Sequence, residues 1–460
     1  MNKEQLICRE IHISDTSCEV FSRFSAQPWA VFLDSANPKH INNRFDVIAF
    51  SPLKTIEARN GKCFVNNKLC LSSPFELLKT HLQSFSSLKA PYDLPFSGGL
   101  LGHFSYDLGR YIENIDNNSI DDISLPDMAV GLYPDALIFD HKTNKWFFIS
   151  QPDFNRFDLY ESLLLSDTPD QVERFQLASQ WQANMSKSQY TKNFNCVQDY
   201  LKSGDCYQIN LAQRFSAQYK GEPWQAYLKL REENKAPFSA YINHPKGSIL
   251  SVSPERFIQI KDRFIETKPI KGTLPRSNDP VIDHNNALKL ENSEKDRAEN
   301  VMIVDLLRND LGKVASPGSV KVPAIFQIES FAAVHHLVST VTAQLADGKT
   351  AIDQLEAAFP GGSITGAPKI RAMQIIEELE PHRRSIYCGS IGYISACGNM
   401  DTSITIRTLI CDKESKQIHC WAGGGIVADS TPDAEYQETF DKVHKILPVL
   451  SDMKAETTVN

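Results

Sequence analysis

The sequence predicts a large chain of mixed α and β structure. Its 460 residues are enough for one α/β or α+β unit, or for two or three ordinary domains. Short β-like runs bounded by turn residues recur, first at 29–33, 46–50 and 62–65 and later as a meander over 385–422. Between them lie longer stretches with apolar residues at helical spacing, such as 188–203. Only the polar, charged stretch 151–184 reads as a linker, separating an N-terminal part (1–184) from a second part (185–460).

Composition narrows the class. Hydrophobic residues make up 42% and charged residues 23%, ordinary for a soluble globular protein. A net charge of −8 argues against nucleic-acid binding, which favours clustered Lys and Arg. An anionic substrate stays open, because it needs only a local cationic site. The ten cysteines include no C-x-x-C pair, and scattered reduced thiols fit a cytoplasmic protein. The start, MNKEQLICREIHISD, is charged throughout and has no signal-peptide core. No apolar run reaches the roughly 20 residues of a membrane span.

In chain order, a helix pattern covers 74–82. In PFSGGLLGHFSYDLGR (95–110), Gly98, Gly99 and Gly102 either form a loose phosphate loop or let strands approach closely. Residues 127–139 and 145–150 read as two paired strands. Ser186 caps the 188–203 helix, whose Tyr190, Phe194, Val197 and Leu201 form one stripe. Residues 206–215 alternate as a strand, and 248–260 is a strand broken by SPERF, with Glu255 at the break. Two further strands flank Lys271.

The stretch 269–310 gathers chemistry-bearing residues. Lys271 precedes a polar loop, and a long helix pattern begins near Asn285. On that helix Asp296 and Glu299 share a face, and Val301, Ile303, Val304, Leu306 and Leu307 mark it as core-packed. Carboxylates beside an apolar turn are costly to bury without a cation. Glu299 and Glu438 are therefore either ligands of a divalent ion or two solvated helix faces. Mg2+ takes one or two protein carboxylates, and spacing leaves the choice open. Lys271 is a nucleophile if its pKa is lowered, and otherwise a surface charge. One of His335 and His336 must point inward.

FPGGSITGAPK (359–369) ends in Pro368, read as a first helical residue. Glycines and hydroxyls before a helix suit an anion. The spacing is not that of a Walker loop, so a carboxylate fits better than a nucleotide. Residues 385–396 and 402–411 read as strands joined at Gly398-Asn399, with Arg407 on a sheet face, where it suits bidentate carboxylate recognition. A final helix, 432–450, places Glu435, Glu438 and Lys442 on one side.

Eight blocks in order resemble the chorismate-utilising enzymes: SPERF, PIKGT, KDRAENVMIVDLLRND, VHHLVST, FPGGSITGAPK, GYISACGNMDTSITIRT, AGGGIVADS and EYQETFDKV. PWAVFLDSA and FSGGLLGHFSYDLGR extend the likeness into the N-terminal half. The resemblance implies an α+β fold of two packed antiparallel sheets flanked by helices, to which 1–184 contributes and in which 185–460 carries the catalytic part. Within the family the match leans toward the branch that forms 4-amino-4-deoxychorismate. Anthranilate-forming members usually have PIAGT where this chain has Lys271, and water-adding members have a lysine base where this chain has Gln208. Both differences favour ammonia at C4 of chorismate. The alternatives are an anthranilate-forming enzyme and a non-catalytic relative binding chorismate or tryptophan.

The resemblance also implies roles. Glu299 and Glu438 hold Mg2+, supported by Asp296. Glu255 protonates the departing 4-hydroxyl and Lys271 attacks C2. Arg407, Tyr387, Lys442, Gly425 and Ser363 hold the carboxylates, and Gln208 and His336 line the pocket. Ser363 replaces the threonine common there and keeps a hydroxyl. Ser35, Arg44, Pro237 and Phe238 mark a tryptophan site. The chain lacks a G-x-C-x-G elbow, so ammonia is expected from a separate glutamine amidotransferase subunit.

Overall fold

The computed structural model describes residues 5–37, 43–165, 173–277, 279–330 and 334–453. Among these, strands assemble into two large antiparallel sheets. Strands from before and after residue 184 sit side by side in both. In the first sheet Ala30–Asp34 pairs with Phe238–His244. In the second, Gly99–Phe104 pairs with Ser390–Ser395.

One apolar core contains residues of both sheets, from Val31 and Ile249 in the first to Leu101 and Ile258 in the second, with Ile303, Val304 and Leu307 of the Glu294–Gly312 helix. A second core joins the first sheet to the Ser17–Ser22, Pro223–Asn234 and Leu447–Ser451 helices through Phe21, Trp224 and Leu450. The result is helices outside two stacked sheets, the fold the resemblance implies. Strand residues of the first core are buried on both faces, so their runs read as continuous apolar stretches and not as clean alternation.

Several elements follow the sequence closely. The helix over 74–82 is Pro74–Leu82, closed by a capping box between Ser73 and Glu76. Ser186 caps Lys187–Ser203 by accepting from the Gln189 N–H. Gly102 serves backbone packing, since a Cβ there would lie 2.1 Å from the Ala129 carbonyl oxygen. The phosphate-loop alternative is thereby excluded at this glycine.

Other runs divide where the pattern looked continuous. The 127–139 run is two strands in different sheets, Met128–Tyr133 and Asp135–Asp140, and only the latter pairs with Lys145–Ser150. Pro134 stands at the crossing and has no N–H to offer a ladder. The helix expected from Asn285 is two, Pro280–Glu291 and Glu294–Gly312, each with its own cap at Asp279 and Ser293. Val301 lies exposed on the second of them. The 432–450 helix also divides, into Pro432–Asp441 and Leu447–Ser451, the second with Pro448 in its first turn. Pro368 is the cap of Lys369–Leu379, one residue outside it. In 151–184, the helix Phe157–Leu164 and two short strands pairing with Gln208–Lys220 replace a linker; residues 166–172 lie outside the described set.

Candidate active site

The site is built where strands change sheets. Gly247–Ser253 belongs to the first sheet and Arg256–Lys261 to the second, so the chain crosses at Pro254-Glu255. Met400–Ile404 and Thr408–Asp412 cross back the other way through 405–407. The reading of 402–411 as one strand is therefore corrected. Arg407 lies on no sheet face; it is at the crossing with φ +54°. The two crossings are bonded to each other, Ile404 N–H to the Glu255 carbonyl at 3.0 Å and Val252 N–H to the Arg407 carbonyl at 3.1 Å.

Glu255 is 9% exposed. Burial pushes its carboxyl from 4.5 up to about 7, against the pull of Lys271, the Ser363 hydroxyl, Arg407 and Lys442. The Ser363 Oγ lies 3.4 Å from Glu255 Oε1. Burial pulls the Arg407 guanidinium down, and Tyr387, Cys420, Glu255 and Glu438 oppose this. Among the described residues its side chain has no hydrogen-bonding or ion-pair partner. A half-buried guanidinium without an ion-pair partner among the described residues, beside a neutralisable acid, is suited to grip an incoming carboxylate. Tyr387 is buried and lies parallel to Trp421, with ring centres 6.3 Å apart.

Lys271 lies within the Ile270–Pro275 strand and opposite Leu337. The pairing slips between Lys271 and Thr273, with Gly272 at φ +72°. A Cβ on Gly272 would come within 2.8 Å of the Asp296 carboxyl carbon, so the glycine of PIKGT brings that acid next to the lysine. Of the two histidines, His335 is buried between Ser330 and Asp283. The His336 Nδ1 meets the Thr273 hydroxyl at 2.8 Å.

Glu299 and Glu438 come from helices far apart in sequence, yet they share one field. Burial raises Glu299, Lys271 and Lys295 lower it, and Asp296 and Glu438 raise it. Burial also disfavours charge on Glu438, but Lys442, Lys295 and Lys271 carry the net shift downward. Lys442 bonds Glu438 at 2.5 Å and the Gly423 carbonyl at 2.8 Å. Its ammonium is lowered by burial, opposed by Glu438.

The glycines of AGGG admit these groups. A Cβ on Gly424 would sit 2.9 Å from Glu435 Oε2, and one on Gly425 would sit 2.3 Å from Gln208 Nε2. Gln208 is fully buried with neither amide atom bonded, and Glu435 Oε2 is likewise unpartnered. Such orphans are costly unless something else bonds them. Glu435 and Lys295 were not among the predicted site residues. For Glu435 the signal was its place one turn before Glu438.

Among the described residues no three His, Cys, Asp or Glu side chains converge into a metal cage. Glu299 and Glu438 in one electrostatic field, with the unpartnered Glu435 Oε2 one turn from Glu438, nevertheless fit an ion such as Mg2+ that takes one or two protein carboxylates and fills its shell with water and substrate oxygens.

Ser35, Arg44, Pro237 and Phe238 all line one cavity of about 350 Å³. Here Arg44 pairs with Asp93 at 2.6 Å and Asp140 at 3.2 Å. The cavity shares none of the candidate catalytic residues, although Arg256, next to Glu255, lines it.

The model of the family described as chorismate binding enzyme matches residues 29–448. This chain belongs to the chorismate-binding enzyme family. Aminodeoxychorismate synthase component 1 of Escherichia coli is 54% identical over 436 residues, 94% of this chain and 95% of that protein. The protein of the same name from Salmonella typhimurium is 52% identical over 443 residues, 95% and 96% of the two chains. Among solved structures, anthranilate synthase component I from Streptococcus pneumoniae superimposes with a TM-score of 0.79 at 32% identity, covering 89% of this chain and 93% of that one. The two large sheets and the crossings at Glu255 and Arg407 thus stand on a chorismate-binding scaffold.

Proposed function

We propose that this chain aminates chorismate at C4, giving 4-amino-4-deoxychorismate for 4-aminobenzoate and folate synthesis. The observation that carries the reading is Glu255, held near neutrality at the crossing beside Lys271, Arg407 and Lys442. The aminodeoxychorismate synthase relatives, at 52% and 54% identity over nearly the whole chain, support it.

Glu255 donates its proton to the 4-hydroxyl as the C4–O bond breaks and water leaves. Lys271 forms a bond from Nζ to C2 in the same displacement. Ammonia then adds at C4, and the electron shift back through the ring expels Lys271. Gln208 has no basic atom to deprotonate water, which leaves ammonia as the nucleophile. Arg407, with Tyr387, Lys442, Ser363 and Gly425, holds the carboxylates, and His336 lines the ring pocket. Glu299 and Glu438, with Asp296 in support, would hold Mg2+, which supplies charge neutralisation to a bound carboxylate.

Ammonia comes from a separate glutamine amidotransferase subunit, in keeping with the component naming of the relatives. Tryptophan is assigned to the cavity at Ser35, Arg44, Pro237 and Phe238. Ten free cysteines support a cytoplasmic location; among the described residues no helix is long and apolar enough to cross a membrane.

The deciding experiment incubates the protein with chorismate, Mg2+ and an ammonium salt and identifies the product. 4-Amino-4-deoxychorismate is expected. Fluorescent anthranilate would assign the chain to the other amination, and no chorismate consumption at any ammonium concentration would make it a binding relative without turnover.

A further inference from the structure

The loop 359–368 carries Ser363 to Glu255 and, through Gly366–Ala367, pairs with Gln208 and Ile209. Its middle is held at the Ile364 carbonyl by Asn210 and Arg384. Its two ends are closed by one side chain. Lys369, the residue just after the loop, donates from Nζ to the carbonyl of Ala358, the residue just before it, at 2.8 Å.

The same ammonium bonds Asp310 Oδ2 at 2.7 Å. Asp310 is 3% exposed and lies in the last turns of Glu294–Gly312, the helix that bears Asp296 and Glu299. Its other oxygen accepts from Lys313 at 3.1 Å, and Lys313 also reaches the Ala357 carbonyl at 3.0 Å. Farther along the same contact, the ideal Cβ position of Gly362 lies 3.3 Å from Leu306. One buried carboxylate therefore joins the acid-bearing helix, the end of Ala351–Ala358 and the start of Lys369–Leu379.

We propose that Asp310 and Lys369 are a positioning pair that locks the 359–368 loop in register with the acid-bearing helix, so that Ser363 and Gln208 meet the substrate at fixed places. Neither residue touches the reacting atoms; each acts through the loop. The catalytic consequence rests on the amination reading, whereas the clasp itself does not.

The test is Lys369→Met. Asp310 keeps Lys313 in that variant, so no carboxylate is stranded. Amide hydrogen exchange over 359–368 is expected to rise at least about tenfold, and the chorismate KM to rise about tenfold with a smaller change in kcat, as expected for a displaced binding loop. Lys313→Met, which removes only the exposed partner, should leave both near wild type. Should Lys369→Met fail to fold, Lys369→Gln carries the test. Its shorter, uncharged side chain offers no ammonium to Asp310 and Ala358, and a rise in loop exchange is expected again. Wild-type exchange and wild-type KM in the folded variant overturn the proposal. If the unaltered protein does not consume chorismate, the functional reading fails, and the exchange measurement still decides the clasp.

Discussion

Replacing Glu255 by Gln tests the acid directly, because the same burial that suits it to catalysis also costs stability. A carboxyl raised from 4.5 to about 7 stores about 3 kcal/mol of difference between its two protonation states. At pH 7 about half of such groups carry a proton, against about 0.3% of an unshifted glutamate. The variant should lose roughly 10²–10⁴-fold in kcat, the usual contribution of a positioned acid. In the unaltered protein kcat should hold steady below pH 7 and fall above it. Stability supplies the independent reading. The folded value exceeds the unfolded one, so the contribution is intact below about 4.5 and is lost as pH rises through about 7. Glu255→Gln cannot ionise, so it should be more stable than the parent by about 1–3 kcal/mol at pH 8, with the gap closing toward pH 4.5. Urea unfolding of both proteins at pH 5 and pH 8, beside a kcat–pH profile, measures this. An unchanged alkaline limb in the variant, or a stability difference that does not shrink with falling pH, refutes the assignment.

Lys271→Ala should reduce chorismate turnover to background while ligand binding persists; turnover at the parent rate, followed by product chromatography, would remove the covalent step. Gly425→Ala places a methyl 2.3 Å from the Gln208 amide and should cost about 1–3 kcal/mol of stability together with activity, read by thermal unfolding and by kcat/KM with ammonium. Glu438→Gln removes a carboxylate and its 2.5 Å contact with Lys442. It should weaken Mg2+ binding by calorimetry more than about tenfold and raise the Mg2+ needed for half-maximal activity; unchanged binding would place the ion elsewhere.

Much of this site was legible because its residues sit in short runs with distinctive chemistry. SPERF announced a strand break, and the break proved to be the crossing at Glu255. Spacing leaves open whether Glu299 and Glu438 meet, since nothing local tells that two helices converge. The Glu438 charge adds to what raises the Glu299 carboxyl, whereas Glu438 itself is carried downward by Lys442, Lys295 and Lys271. Sheet membership was illegible for a physical reason. A strand that passes between two buried sheets keeps its apolar pattern on both sides of the crossing, so 127–139 and 402–411 each read as one element. The break at Asn292-Ser293 leaves no mark in the pattern because helical spacing of apolar residues survives a kink, while Asp279 and Pro280, which mark the true start, have the composition of a loop. Glu435 falls on the right helix face one turn before Glu438, but its unpartnered buried oxygen is something a sequence does not display.

The paired crossings explain how an acid and an arginine can act on each other electrostatically without forming an ion pair. Inside a regular ladder, each side chain points to one face and its neighbours are fixed by register. A strand that leaves one sheet for the other releases its backbone from that rule for two or three residues. Ser253 supports the first crossing by donating to the Ile404 carbonyl at 2.6 Å and accepting from the Glu255 N–H at 3.2 Å. The second is tied back by Cys388 N–H to the Thr405 carbonyl at 2.9 Å and by Thr405 N–H to the Gly389 carbonyl at 3.0 Å. The backbone polar groups are thus satisfied internally, and the Glu255 and Arg407 side chains stay available. Had the two formed a salt bridge, the carboxyl would have been held well below neutrality and the guanidinium would have had no free fork. Without an ion pair between them the acid stays protonatable and the arginine open, while backbone hydrogen bonds hold the two crossings to each other.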